Sequence, residues 1–158
     1  MTSYLIAGPG EEPVSLAEAR AFCRIEHAEE DALMGALIAA ARLHVESATG
    51  RALVTQSWRL VLNRVHGLVV PLPVVPVASL IEAPDGAVLQ GDSVLLAAAV
   101  DALSIDYTAG YGAAEDVPQD LKHAVLLLVA YWYEHRDGLT TAPAVFEQLI
   151  AGYRRGML

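Results

Sequence analysis

The chain has 158 residues, long enough for one domain whose core needs neither disulfide nor metal to hold it. Its 19 acidic against 10 basic side chains give a formal charge of -9, which excludes a broad surface that grips nucleic-acid phosphates. The one cysteine, Cys23, has no internal partner and reads as a small buried apolar residue.

Residues 1–13 read as an N-terminal arm. Gly8-Pro9-Gly10 is a loop signal that leaves Tyr4, Leu5 and Ile6 as a short strand or an anchoring segment, and no basic stretch precedes an apolar run as a secretory signal requires. Ser15-Leu16-Ala17-Glu18 has capping-box spacing and opens a helix over 16–24, with Leu16, Ala19 and Cys23 inward and Phe22 alongside. The clearest helix spans 31–51. Leu33, Leu37, Ala40, Ala41, His44, Val45 and Ala48 recur along one face, and Met34 and Ile38 widen the stripe. Glu29, Glu30 and Asp31 sit at the positive end of its dipole, and Gly50 suits the left-handed turn that stops it.

After Arg51 the period changes from helical to alternating. Trp58, Leu60 and Leu62 face one way against Ser57, Arg59 and Val61, which predicts a half-buried strand. A second strand over 68–72 belongs at a sheet edge or in an extended link, not in a central strand, because Pro71, Pro73 and Pro76 have no N–H to donate. Residues 77–82 follow as a third strand, and Pro84-Asp85-Gly86 signals a hairpin. Segments 88–89, 94–98 and 103–108 complete a small antiparallel sheet, the last with Leu103, Ile105 and Tyr107 alternating against polar residues.

Gly110-Tyr111-Gly112 predicts a glycine-rich corner, and Pro118 stands in the first turn of a third helix over 118–135. That helix is apolar almost all round and is expected to be the most buried element; its longest apolar run, 124–133, is too short to span a bilayer. A link over 138–142 leads to a last helix from Pro143, whose apolar side is Val145, Phe146, Leu149, Ile150 and Tyr153. The fold class read from these elements is mainly α with a small antiparallel β element, a helical-bundle core plus short β-hairpins, in a single domain over 1–158.

The motifs of chemistry are missing. His27, His44, His66, His123 and His135 include no pair at the three-or-four spacing that shares one metal between helix turns. Gly110-Tyr111-Gly112 lacks the third glycine of a dinucleotide loop, and Gly91-Asp92-Ser93 lacks the second glycine of a nucleophile elbow and suits a hairpin. The carboxylates Glu29, Glu30, Asp31, Glu46, Glu115, Asp116 and Asp120 mostly fall at predicted helix starts, where the dipole accounts for them. Tyr131, Trp132 and Tyr133 lack the interleaved basic residues of a base-stacking platform. No catalytic residue, metal or cofactor is assigned, and the chain is read as not an enzyme.

Several stretches taken together resemble the head-tail connector, or adaptor, family of long-tailed phages and phage-derived gene transfer agents. They are SLAEARAFCRIEHAEEDALMGALIAAARLHVESATGRAL, TQSW, PLPVVPVASL, the YTAGYG and VPQDLKHAVLLLVAYWYEHRD pair, and the YRR near the end, in this order over most of the chain. The resemblance implies a structural adaptor of the particle neck, made in the bacterial cytoplasm. About twelve copies would form a ring joining the portal of the DNA-filled head to the tail and lining the DNA path during ejection. Its partners would be itself, the portal and a downstream neck or tail-completion protein, with DNA passing without tight binding and no membrane involved. Acidic side chains among Glu29, Glu30, Asp31, Glu115 and Asp116 would face that channel. Residues 143–158, which follow a link of small and hydroxyl residues, are expected to be a docking segment outside the subunit core that presents Phe146, Leu149, Ile150, Tyr153, Arg154 and Arg155, and the resemblance implies the portal as its partner; the alternative is that this helix covers the subunit's own core. Two readings of other classes stand beside it: a small enzyme whose site is assembled between subunits, and a cytoplasmic interaction module.

Overall fold

The computed structural model describes residues 1–137 and 141–155. Strand β1 (Thr2–Ala7) precedes helices α1 (Leu16–Cys23) and α2 (Asp31–Thr49); strands β2 (Gln56–Leu62), β3 (Val69–Pro71), β4 (Val77–Glu82), β5 (Val88–Gln90), β6 (Ser93–Leu95) and β7 (Leu103–Ala109) follow, then α3 (Gln119–Glu134) and α4 (Ala144–Ile150). No helix among the described residues is long and apolar enough to cross a membrane.

The expectation of a mainly α fold, a helical-bundle core plus short β-hairpins, is overturned. Among the described residues helix accounts for 37% and strand for 24%, in two antiparallel sheets. One sheet has the order β1-β2-β7-β4, the other β3-β6-β5. The strands also enclose an apolar core of their own, built from Leu60, Val70, Leu72, Val94, Leu96, Leu103, Ile105 and Tyr107. The helical layer holds a second core, in which Met34, Leu37, Ile38, Ala41 and Val45 of α2 meet Leu121, Val125, Leu128 and Trp132 of α3. Residues 52–54 tie the layers together: Ala52 packs into the sheet core while Leu53 and Val54 pack into the helical one. The pattern hid this because each strand buries only alternate residues, and the partners that complete the sheet lie far away in sequence. Gln56 pairs with Ala109, and Thr2 with Val61.

Local chemistry sets the element ends as expected at several points. The Ser15 hydroxyl accepts from Glu18 N at 3.0 Å and the Glu18 carboxylate accepts from Ser15 N at 2.6 Å, the reciprocal pair of a capping box. Gly50 closes α2 with φ +68°. At the corner after β7, Gly110 has φ +131°, and a Cβ there would lie 2.7 Å from the Val54 backbone, so no larger residue fits. The proline-rich strand β3 lies at a sheet edge, as its missing donors require.

Other expectations are corrected. Pro118 is the N-cap of α3 and not a first-turn residue: its carbonyl accepts from Leu121 N and Lys122 N. Ala40 is exposed, and the buried stripe of α2 is centred on Leu37, Ile38, Ala41 and Val45. Phe22 is exposed at the surface, edge-on to His123. The Pro84-Asp85-Gly86 turn forms, with Ala87 N donating to Pro84 O at 3.0 Å, but it joins strands of different sheets, so it is not a hairpin. The most completely buried element is β7, enclosed between β2 and β4, whereas α3 leaves Leu126, Leu127, Ala130, Tyr131 and Tyr133 half-buried.

Candidate functional site

The C-terminal segment is seated on both layers of the subunit. Pro143 caps α4, and the three-to-four spacing places Phe146 and Ile150 on one face, both fully buried against α2 and α3. The Phe146 ring lies 5.3 Å from that of His44, which also meets Trp132 edge-on at 5.7 Å. Trp132 Nε1 donates to Thr141 O at 2.8 Å, fixing the approach to α4. Beyond the helix, two arginines clasp the chain. Arg51 Nε donates to Tyr153 O at 2.8 Å, its Nη1 donates to the Tyr111 hydroxyl at 3.1 Å, and its guanidinium stands 5.8 Å from the Tyr153 ring centroid. Arg155 Nη1 donates to Leu72 O at 2.8 Å and Pro73 O at 2.9 Å, so the tail is tied to the proline-rich segment after β3.

The six residues assigned to portal docking therefore divide. Phe146 and Ile150 are in the subunit's own core, Leu149 and Tyr153 are half-buried, and Arg154 and Arg155 are exposed, with Arg154 paired to Glu147. The expectation that this segment stands outside the core is corrected: a helix burying an aromatic and an isoleucine completely forms part of it. The predicted link over 138–142 lies partly outside the described residues, at 138–140, and the last three residues, 156–158, also lie outside them.

The carboxylates proposed for a channel are also divided by their partners. Glu30 accepts from Arg136 Nη2 at 2.6 Å and from the Tyr133 hydroxyl, which together hold its carboxyl below the usual range, the tyrosine contributing most. Asp31 is held low in the same direction by a two-pronged pairing with Arg20. Asp116 caps its own turn, accepting from Ala113 N at 3.0 Å. Glu29 and Glu115 are exposed.

A polar cluster that sequence reasoning missed lies where the layers meet. Glu46 Oε1 accepts from Leu53 N at 2.9 Å and from Gln56 Nε2 at 2.6 Å, while its Oε2 accepts from Arg42 Nη1 at 2.9 Å. Arg42 also donates through Nε to Glu12 at 2.7 Å, which brings the N-terminal segment into the same network. Burial pushes the Glu46 carboxyl up, and the three donors oppose that shift. A signal was present in the sequence. Glu46 lies in the last turns of a helix, where the dipole disfavours a carboxylate, so another partner had to hold it. The cluster borders a groove of about 410 Å³ between β1, α2 and β2, lined also by Leu5, Leu43, Trp58 and Val74. The Trp58 indole N–H is buried without a hydrogen-bond partner among the described residues.

The described residues form a helical layer on an antiparallel sheet with a clasped C-terminal segment, and among them no three His, Cys, Asp or Glu side chains are placed to share a metal. Residues 13–142 match the head completion protein family, and the chain belongs to that family. Among solved structures it is similar to a chain in the neck of an empty GTA particle computed with C6 symmetry, at 27% identity over 100% of this chain and 97% of that one, with a TM-score of 0.86. It is similar at the same identity and coverage to chains in the virion of a native gene transfer agent particle, with a TM-score of 0.85, and in the neck of a native GTA particle computed with C12 symmetry, with a TM-score of 0.74. No curated protein matches it.

Proposed function

We propose that this chain is a structural adaptor in the neck of a phage-like particle, a ring subunit of about twelve copies between the portal and the tail, with no enzymatic role. The observation that carries the reading is similarity along the whole chain, at a TM-score of 0.86, to a chain of the GTA neck, in a fold whose family is head completion. The twelve-fold count follows the symmetry of one of those necks. The -9 charge suits a subunit that lines a DNA path without holding phosphates, and the exposed Glu29 and Glu115 are the candidates to face it.

The portal is the partner we assign to the outward side of the C-terminal segment. Leu149, Tyr153, Arg154 and Arg155 would make the contact, while Phe146 and Ile150 set the helix in place from beneath. Electron microscopy of particles assembled without this chain tests the function: heads and tails should be found apart, and joined, DNA-filled particles would overturn it. Arg154→Glu tests the docking face, since it should leave the free subunit folded and reduce its capture by portal-bearing heads. Undiminished capture would place the portal contact elsewhere.

A further inference from the structure

We propose that neighbouring copies of this chain join edge to edge through the four-stranded sheet, β4 of one subunit pairing with β1 of the next; this rests on the ring reading above. The sheet has two free edges, β1 and β4. Every internal pairing is antiparallel, so β1 and β7 run one way, β2 and β4 the other, and the two outer strands are opposed in direction. A small rotation about a ring axis leaves strand direction almost unchanged. The neighbour's β1 therefore meets β4 antiparallel, and the alternation continues across the subunit boundary. The two edges are different surfaces, as the head-to-tail contact of a closed ring requires.

Composition singles out these edges. Soluble proteins guard free strands with charges, prolines or short length, because an open row of backbone donors and acceptors recruits another strand. The second sheet follows that rule, with three-residue edge strands and Pro71 on one of them. The first does not. Strand β1, TSYLIA, has no charge and no proline, and β4, VASLIE, has one charge at its end, Glu82. Large apolar side chains stand out from both: Tyr4, Leu5 and Ile6 are 50–52% exposed and Ile81 is 57% exposed. Ile6 and Ile81 each fall at an irregularity in the register. Such bulges bend a strand, as a sheet continuing around an axis requires. For subunits of charge -9, an uncharged seam also puts the contact where mutual repulsion is least.

The test compares amide hydrogen exchange of the full chain in assembled rings and as the free subunit, with particle mass measured in parallel. Exchange over 2–7 and 77–82 should slow by about tenfold or more in the ring. Ile6→Lys and Ile81→Lys should each prevent ring formation while leaving the melting temperature of the free subunit nearly unchanged, because both side chains are half-exposed there. Rings of the expected mass whose two edges exchange as fast as in the free subunit would overturn the edge pairing and leave the ring reading intact. Failure to find any ring, alone or on the portal, would overturn the ring reading itself. Protection of β1 alone in a two-subunit species would show β1–β1 pairing and overturn the proposal.

Discussion

Glu46 joins the two layers through one carboxylate. Its partners belong to α2, to the connection at Leu53 and to β2. Glu46→Ala leaves a buried backbone N–H, the Gln56 amide and one side of Arg42 unmatched, and the expected cost is about 2–4 kcal/mol in a urea titration. A loss of only a few tenths would mean that water replaces the carboxylate freely. Asp106 has a simpler role. Arg59 Nε and Nη2 each donate to it at 2.6 Å across β2 and β7, and this pairing holds its carboxyl below the usual range. A carboxylate with a depressed folded pKa contributes stability above its unfolded pKa and loses it as pH falls through the folded value. The Asp106 contribution should therefore be complete above about pH 4 and decline below it. Asp106→Asn is expected to flatten the acid side of a stability-versus-pH curve, and an unchanged acid slope would contradict this.

At the scale of elements, α3 and α4 test how the helical layer holds together. Leu128 is fully buried within that core, so Leu128→Ala should cost about 2–5 kcal/mol. The same layer decides the status of α4. Phe146→Ala should cost about 3–5 kcal/mol, and removal of everything after Thr141 should lower the melting temperature strongly or lead to aggregation, because it strips the cover from His44, Trp132 and the facing sides of α2 and α3. A soluble truncated subunit with an unchanged melting temperature would show that α4 docks without stabilising. The apolar side of this helix was legible in the sequence. Its destination was not, because an amphipathic face looks the same whether its own core or another protein covers it.

For the whole molecule, charge is the property that bears most directly on a neck subunit. The isolated protein, at -9, should show no tight, salt-sensitive binding to duplex DNA in a fluorescence anisotropy titration. Affinity that falls steeply between low and physiological salt would instead reveal a concentrated basic surface. Several acidic groups are already matched internally, Glu30 by Arg136 and Tyr133 and Asp31 by Arg20, so the field at any channel would come from fewer carboxylates than the composition provides.

The sequence by itself determined what depends on neighbours a few residues apart. The Ser15–Glu18 cap, the extent of α2 to Gly50, the glycine corner at 110–112 and the edge position of the proline-rich strand all follow from local sterics and hydrogen bonding. The ordered stretches also carried the family, which the match over residues 13–142 bears out. Tertiary structure alone decided the balance of sheet and helix, the burial of Phe146 and Ile150, the clasps made by Arg51 and Arg155, and the pairing of Glu46 with Leu53 and Gln56. Each of these depends on groups brought together from distant parts of the chain, and periodicity records which face of an element is apolar without recording what covers it.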